Sequence, residues 1–226
     1  MFAEMRRNHE DKYRNFAELV AGEREGVDYC RIMLPRESVI TVIAPHGGGI
    51  EPGTSEMAKA IAGNDFSLYC FEGRKQENNY EYLHITGTNF DDPDCVQLTT
   101  KSKVVLAIHG CDNDNDLIYV GGLNENVRTL LINALRAVGL QAQEDMTSHS
   151  GRDPQNICNR ELPNGGVQLE IAKGLRKKMF KGLKRNERAF TEPPFDTFVE
   201  TVRGLLTQLR IGGETAQPAI EDGGRV

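Results

Sequence analysis

The sequence predicts an α/β fold of three layers, in which a mainly parallel or mixed twisted sheet lies between helices on both faces. Two observations lead to this fold class. Short runs of β-branched and aliphatic residues alternate along the chain with segments whose apolar residues recur at helical spacing. The chain has 226 residues with 38% hydrophobic side chains, enough for one core. It contains no apolar run of the ~18 residues that a membrane-spanning helix needs.

The predicted strands are recognised by their β-branched and aliphatic content. The first clear one covers residues 38–44 (SVITVIA), and its unbroken apolar run indicates burial on both faces. A strand with no polar face belongs inside a sheet that is covered by helices on both sides. Further strands are expected at residues 67–71, 82–86, 104–108, 117–120 and 167–171.

Three helices are predicted from apolar spacing and from their end signals. The first begins after Thr54 or Ser55 and ends at Gly63, and the second covers residues 125–138 and stops at Gly139. The third covers residues 195–209. These elements predict one domain over residues 1–212, whose first 26 residues form a helical extension, and a disordered polar tail over residues 213–226.

The charge is unevenly distributed along the chain. The net charge of −6 argues against nucleic acid as a partner. Residues 173–188 nevertheless hold eight basic residues and one acid, a charge of +7 that leaves −13 on the remainder. Two interpretations stay open for this basic segment: a solvated helix face, or a positive track beside a site that takes a polyanionic substrate.

Cysteine usage and the N-terminus indicate where the protein is made. The five cysteines are widely spaced and include no C-x-x-C pair, which is typical of reduced thiols and argues against a cysteine zinc cluster. Residues 1–14 are charged throughout and lack the apolar segment of a signal peptide. We therefore expect synthesis in the cytoplasm and no membrane partner.

Two histidines stand where predicted strands end. His46 and His109 each follow an apolar run and precede a glycine, which lets the backbone turn sharply. Glu51 lies five residues beyond His46, across three glycines, so that a folded loop can return its carboxylate to the imidazole. Hydrolytic zinc takes three ligands from His and carboxylate side chains and leaves a place for water. His46, Glu51 and His109 are therefore the predicted ligands of one Zn²⁺ ion.

Other interpretations of the glycine-rich loop are less well supported. A histidine before glycine at a strand end can simply hold a hydrogen-bonded turn. The three glycines of residues 47–49 could cradle a phosphate, but neither nucleotide-binding glycine motif is present. An esterase-type oxyanion loop would need a G-x-S-x-G nucleophile elbow, which is also missing from the sequence.

A carboxylate for proton transfer is expected near the metal, because amide hydrolysis needs a proton for the leaving nitrogen. Glu170 is the candidate, since it is a charged residue within a short apolar strand. Asn159 and Arg160 precede that strand, and Arg160 offers a planar fork suited to a carboxylate. His84 lies within an alternating pattern and is a further candidate for lining the site, whereas His9 and His149 are expected to face solvent.

Several blocks of sequence together resemble a known family, the phage-type poly-γ-glutamate hydrolases. The resemblance extends over roughly residues 27–210, with the order of the motifs preserved. The blocks are APHGGGIEPGTSEMAKAIAG, SLYCFEG, LHITGTNFDDP, VVLAIHGCD, IYVGGLN, NICNR and GVQLEIAKGLR. The resemblance implies a zinc carboxypeptidase-like fold and endo-cleavage of γ-glutamyl amide bonds in a capsular polymer.

The resemblance also implies roles for individual residues. The zinc ligands fall on His46, Glu51 and His109, and Glu170 matches the carboxypeptidase-type general base. Asn159 and Arg160 are similar to the pair that grips a substrate carboxylate. Carboxypeptidases usually show His-x-x-Glu, whereas four residues separate His46 from Glu51 here, which argues against exopeptidase activity.

Substrate contacts outside the metal site are also expected. Arg128 and Arg160 are candidates to support the charge that develops on the carbonyl oxygen. Lys177 and Lys178, in the basic segment, are expected to attract the anionic polymer, so reversing their charge should raise the Michaelis constant at low salt. The enzyme is expected to be a monomer that acts outside the cell after lysis, as a phage or prophage product would. Two alternatives remain: a polyanion-binding module with a structural zinc, and a carboxypeptidase or amidase acting on peptide ends.

Overall fold

The computed structural model describes residues 11–147, 150–160 and 162–214. Seven strands and seven helices are present in these ranges. The strands are β1 (Tyr29–Leu34), β2 (Ile40–Gly48), β3 (Ser67–Gly73), β4 (Val104–Cys111), β5 (Ile118–Gly121), β6 (Ala142–Glu144) and β7 (Val167–Ala172). The helices are α1 (Phe16–Gly22), α2 (Thr54–Ala62), α3 (Asn79–Leu83), α4 (Pro93–Thr99), α5 (Glu125–Ala137), α6 (Lys173–Met179) and α7 (Pro193–Glu214).

All seven strands form one mixed sheet in the order β1-β3-β2-β4-β7-β5-β6. β2, β3, β4 and β7 run parallel, β1 pairs antiparallel with β3, and β5 pairs antiparallel with β7. Helices cover both faces, so the predicted three-layer α/β fold is confirmed. The carboxyl ends of the four central parallel strands share one edge, where sheets of this class place their functional loops.

Two apolar clusters occupy the two faces of the sheet. One contains the buried faces of α2, α5 and α7, with Leu106, Ile108, Leu169 and Ile171 of the central strands. The other is aromatic and contains Phe16, Tyr69, Phe71 and Phe90. Successive side chains of a strand point to opposite faces of the sheet. Ile108 and Ile171 belong to the first cluster, so their neighbours His109 and Glu170 point toward the aromatic side.

The loop from β2 to α2 depends on glycine at positions with a left-handed backbone. Gly48 and Gly53 have φ of 65° and 104°. A Cβ at Gly48 would lie 2.5 Å from the carbonyl oxygen of Gly73, so only glycine allows β2 and β3 to approach this closely. The tight loop returns Glu51 to His46, whose carbonyl accepts a 2.9 Å hydrogen bond from the Glu51 N–H.

One predicted strand is wrong. Tyr82 belongs to α3, whose C-terminal cap is His84, and a loop follows. The apolar alternation that predicted a strand over residues 82–86 comes from Leu83 and Ile85, which are both fully buried in the aromatic cluster from a helix end and a loop. Burial of these two side chains thus gives the sequence an alternation of apolar residues that does not come from a strand.

Other differences lie in short or peripheral elements. The sequence did not predict β1, β6, α3, α4 or α6. Within the predicted tail, residues 213–214 belong to α7, and residues 215–226 lie outside the described ranges, as do His9 and His149. All five cysteines are free thiols. No helix in the described ranges combines the length and hydropathy that crossing a bilayer requires.

Candidate metal centre and active site

His46 and Glu51 form one side of a buried polar cluster at the carboxyl edge of the sheet. Both are buried, with 2% and 7% of their surface exposed. The Nε2–H of His46 donates to the Ile85 carbonyl oxygen at 2.8 Å, which leaves Nδ1 as a lone-pair atom. That Nδ1 lies 3.0 Å from Oε1 of Glu51. A hydrogen bond that orients the outer nitrogen of an imidazole is the usual support of a metal-binding histidine.

His109 completes the cluster from the neighbouring strand. Its Nδ1 lies 3.1 Å from Nδ1 of His46 and 3.6 Å from Oε2 of Glu51. Oε2 also accepts the Gly110 N–H at 2.9 Å, which fixes the orientation of the carboxylate. Nε2 of His109 is buried without a hydrogen-bond partner among the described residues. Two imidazoles and a carboxylate that converge in this way suit a divalent cation such as Zn²⁺.

Burial and the charges within the cluster shift the pKa values of His46 and Glu51 in opposite directions. Burial alone would raise the pKa of Glu51, but the charge of His46 and the hydrogen bonds to both histidines hold it well below its usual range. Burial would lower the pKa of His46, and Glu51 raises it overall. The pKa of His109 is lowered, chiefly by burial. A carboxylate ionised at neutral pH beside two imidazoles is the donor set that a cation requires.

His84 lies directly beside this cluster. Its ring centroid is 4.0 Å from that of His46 and 4.4 Å from that of Tyr80, on which it stacks. Ligand atoms of His46, Glu51 and His84 lie within 4.8 Å of one another, so His84 is also placed to be the third ligand of a cation. Nδ1 of His84 is engaged by the Asp11 carboxylate at 2.6 Å, however.

Glu170 is aligned with His109 by the pairing of β7 with β4. The two residues are register partners in neighbouring parallel strands, so their side chains stand side by side on one face. Gln168 donates from Nε2 to Oε1 of Glu170 at 2.9 Å, and Asn156 donates to Oε1 of Gln168 at 3.2 Å. Burial, followed by the charges of Glu51 and Asp145, raises the pKa of Glu170 well above its usual range. A carboxyl with a raised pKa beside a candidate metal site suits proton transfer.

The other predicted substrate residues are engaged with backbone groups. Asn159 is buried, accepts from the N–H groups of Leu123 and Gly166, and donates to two loop carbonyls. Arg160 donates to the carbonyls of Gln155 and Thr88. These bonds hold the loop that carries Asn156.

Arg128 is buried on α5 and donates to the Gly122 carbonyl at 2.7 Å and to the Glu144 carboxylate at 3.0 Å. None of its described hydrogen bonds reaches the buried cluster of His46, Glu51 and His109. The structure therefore brings His46, Glu51, His109, His84 and Glu170 together, whereas Asn159, Arg160 and Arg128 are engaged in the surrounding framework.

Three lysines of the basic segment, all in α6, are paired with aspartates of the loop after β4. Lys173 pairs with Asp112 at 2.7 Å and Lys177 with Asp114 at 2.9 Å. Lys178 pairs with Asp116. Sequence analysis counted these lysines as an excess of positive charge because the partner aspartates lie about sixty residues earlier.

Two residues that hold the candidate site in place were not identified by sequence analysis. Gln168 orients Glu170, and its position two residues earlier on the same strand face could have indicated this role. Arg176 is buried and donates to the carbonyls of Pro52, Cys111 and Ile171, which joins the loop of Glu51 to the ends of β4 and β7. Its membership of a basic run concealed that role.

The mixed sheet and the buried His–Glu–His cluster at its carboxyl edge are the arrangement expected of a hydrolase of the α/β class with a candidate metal site. The chain belongs to the poly-gamma-glutamate hydrolase family, whose model matches residues 13–201. A bacteriophage poly-gamma-glutamate hydrolase of known structure is 31% identical, with a TM-score of 0.85 over 90% of this chain and 99% of that one.

The chain is also similar to proteins of Bacillus subtilis strain 168 and to a more distant enzyme. UPF0714 protein YndL is 36% identical over 81% of this chain and 72% of its own length. A structure of YndL in a zinc-free apo form superposes with a TM-score of 0.81, at 33% identity over 88% of this chain and 98% of that one. N-formylglutamate amidohydrolase from Ralstonia eutropha JMP134 shares the fold at 12% identity, with a TM-score of 0.52 over 84% of this chain and all of that one.

Proposed function

We propose that this protein is a zinc-dependent endo-hydrolase of the γ-glutamyl amide bonds in poly-γ-glutamate. His46, Glu51 and His109 hold one Zn²⁺ ion, and Glu170 is the catalytic carboxylate. The observation that carries the proposal is the convergence of three buried lone-pair donors on one point, with Glu170 as the register neighbour of His109. Membership of the poly-γ-glutamate hydrolase family supports the choice of substrate.

The proposed chemistry divides the work between the ion and the side chains. A Zn²⁺ ion held by His46, Glu51 and His109 would lower the pKa of a water molecule, so that hydroxide is available at neutral pH, and would offset negative charge on the carbonyl oxygen. Glu170 accepts the proton of the attacking water at a carboxylate oxygen and transfers it to the leaving nitrogen. A raised pKa suits this double role, because the carboxylate must both accept and release a proton near neutrality.

Side chains around Glu170 keep its geometry fixed. The amide of Gln168 holds one carboxylate oxygen, and Asn156 in turn holds Gln168. The Ile85 carbonyl fixes the tautomer of His46, and the Gly110 N–H fixes Glu51. We assign His109 as the third ligand because its Nδ1 lies 3.1 Å from Nδ1 of His46 and 3.6 Å from Oε2 of Glu51. His84 then lines the site beside Tyr80.

The first experiment follows polymer length. Purified protein is incubated with high-molecular-weight poly-γ-glutamate, with and without chelator, and the products are sized by gel filtration. We expect a rapid fall to oligomers that chelation abolishes and added zinc restores. Release of single glutamates without early shortening would indicate an exopeptidase instead. Full activity after verified zinc removal would contradict the metal assignment.

A second function has one observation in its favour. With His84 as a fourth donor beside His46 and Glu51, the cluster would approach the closed coordination of a structural zinc site. The protein would then be a polyanion-binding module, which the same assay recognises. Polymer binding with zinc present but no shortening is the result that this function requires.

The proposed biological setting is the degradation of a capsular polymer outside the cell, after release by lysis. The similarity to a bacteriophage enzyme and to the SPbeta prophage-derived protein YoqZ, which is 35% identical over 75% of this chain and 62% of its own length, supports this setting. The anionic polymer is the expected partner, and a monomer is the expected form.

A further inference from the structure

A small cleft lies at the same edge of the sheet as the metal cluster. Its volume is about 140 Å³, and its floor includes Gly48 and Gly73, the last residues of the neighbouring strands β2 and β3. The two backbones approach too closely there for a side chain at Gly48. A water molecule takes about 30 Å³ of liquid volume, so the cleft has room for a carboxylate and part of its carbon chain.

The walls of the cleft carry more positive than negative charge. Four cations line it, Lys59, Arg74, Arg185 and Arg188, against the carboxylates of Glu56 and Glu72. The cleft is therefore +2 in a protein whose net charge is −6. An excess of one sign inside a concave surface raises the local concentration of ligands of the opposite sign.

Two of the four cations are already neutralised. Lys59 pairs with Glu72 at 2.5 Å, and the buried Arg188 pairs with Glu56 at 2.7 Å. The second oxygen of Glu56 has no partner among the described residues, so Glu56 engages none of the other cleft cations. The cleft's net charge therefore comes from the remaining two arginines.

Arg74 and Arg185 are those remaining cations. Both are exposed, and neither takes part in an ion pair or a side-chain hydrogen bond in the described ranges. This distinguishes them from the lysines of α6, where Lys173, Lys177 and Lys178 each have an aspartate partner. An unpaired guanidinium keeps its planar donor fork free for an incoming carboxylate.

The floor of the cleft begins close to His46 along β2. Gly48 is two residues beyond His46, so their Cα atoms lie at most roughly 7 Å apart. One γ-glutamyl repeat contributes five main-chain bonds, or roughly 6 Å, and carries one free carboxylate. A polymer with an amide at the cluster can thus bring the carboxylate of an adjacent repeat to the cleft.

We infer that Arg74 and Arg185 form a subsite for a free carboxylate of the poly-γ-glutamate chain next to the cleaved bond. The inference rests on the proposed function, because it assigns a subsite to that substrate. The arginines take no part in the chemical step. Their substitution should therefore raise the Michaelis constant and change kcat little, because kcat depends on the metal site and Glu170.

The test compares three double variants with the same change of charge. Arg74→Glu/Arg185→Glu alters the cleft, and Lys177→Glu/Lys178→Glu alters the paired lysines of α6. Lys101→Glu/Lys103→Glu is the control, because both lysines are exposed and precede β4 at the opposite edge of the sheet. Circular dichroism and zinc content verify that each variant is folded and loaded. Initial rates are measured against poly-γ-glutamate concentration at low salt and at ~0.5 M salt, where the Debye length falls to a few Å.

We expect the cleft variant to raise KM about tenfold at low salt, within the range that focused fields produce, with kcat changed less than about twofold. The rise should shrink at high salt, and the control should stay within about twofold of wild type. An equal rise in the cleft variant and the control would overturn the subsite, because only the overall charge would then matter. A rise confined to the α6 variant, or no rise in the cleft variant, would overturn it too.

A failure of the proposed function is recognised separately. If the zinc-loaded wild type does not shorten the polymer, the function is wrong, and fluorescence anisotropy with labelled poly-γ-glutamate then tests the cleft. Binding lost only in the cleft variant would support a carboxylate site at Arg74 and Arg185. Binding that is absent from wild type, or unchanged in that variant, would overturn it.

Discussion

Two buried polar clusters on the aromatic side of the sheet differ in how their polar atoms are satisfied. Asp92, which is fully buried, accepts from the Tyr69 hydroxyl at 2.5 Å and from the Asp94 N–H at 2.9 Å. Arg31 adds hydrogen bonds to both carboxylate oxygens at 3.3 and 3.4 Å. Every oxygen of this carboxylate therefore has a donor from the chain itself.

The cluster at the carboxyl edge is arranged differently. Nδ1 of His46 faces Nδ1 of His109 at 3.1 Å and a carboxylate oxygen of Glu51 at 3.0 Å. Lone pairs that face each other in a buried place are unfavourable unless a proton or a cation lies between them. Nε2 of His109 also lacks a partner in the described ranges.

The two carboxylates also differ in the direction of their pKa shifts. Burial raises the pKa of Asp92 despite its donors, whereas the histidines hold the pKa of Glu51 well below its usual range. The comparison teaches that burial alone does not identify a functional site. A polar group satisfied by its own chain stabilises the fold, whereas metal-ligating atoms that converge on one another in a buried place indicate a site for a cation.

The largest expected effect is at the third metal ligand. His109→Ala should lose its bound zinc, and its activity should fall by more than ~100-fold. Loss of an outer-shell partner already costs up to about that much, and a ligand should cost more. Atomic absorption and turnover of poly-γ-glutamate measure the two quantities. His84→Ala is the matched control and should retain one zinc per chain. The opposite pattern, with zinc lost only in His84→Ala, would exchange the two histidines in the site.

Glu170→Gln should keep zinc and lower kcat by about 10²–10⁴, the usual range for a lost acid–base group. The amide is nearly isosteric but cannot carry the proton. Glu200→Gln, an exposed change on α7, provides the matched control and should leave kcat unaltered. Full turnover by the Glu170 variant would remove its assigned role.

Asp92→Asn tests the cluster that is satisfied internally. We expect the free energy of unfolding to fall by about 2–3 kcal/mol, because an oxygen that accepts buried hydrogen bonds is replaced by an NH₂ group that cannot accept them. Urea unfolding of the zinc-loaded protein measures it, and zinc content should not change. Asp94→Asn, whose side chain is 45% exposed, should cost less than about 1 kcal/mol. A loss of zinc from the Asp92 variant would contradict the separation of the two clusters.

The smallest effect concerns pH and Glu23. Burial would raise the pKa of this carboxylate, but hydrogen bonds from Lys75, Lys12 and Tyr13 lower it overall. A lowered pKa in the folded state gives stability that is present above the unfolded pKa of ~4.3 and is lost as the pH falls through the folded value. As the pH is lowered below about 5, the free energy of unfolding should therefore fall more for wild type than for Glu23→Gln. Urea unfolding at each pH measures this. Parallel pH profiles for the two proteins would contradict this.

Sequence analysis predicted the central elements because their signals are local. The apolar runs of β2, β4 and β7 and the amphipathic patterns of α2, α5 and α7 lie within single segments of chain. The edge strands β1 and β6 and the short helix α4 lack such continuous patterns. The alternation around His84 predicted a strand where Leu83 and Ile85 are buried from a helix end and a loop.

The sequence by itself determined the α/β class, the strand-end positions of His46 and His109, the return loop to Glu51 and the family. These depend on residue type and short-range spacing, which a chain carries before it folds. Only the tertiary structure decided that Glu170 stands beside His109, that His84 stacks on His46, and that Asp92 is satisfied internally. It also separated the lysines of α6, neutralised by aspartates, from the unpaired Arg74 and Arg185. The physical reason is that strand register and ion pairing join residues sixty or more positions apart, at distances that sequence spacing does not encode.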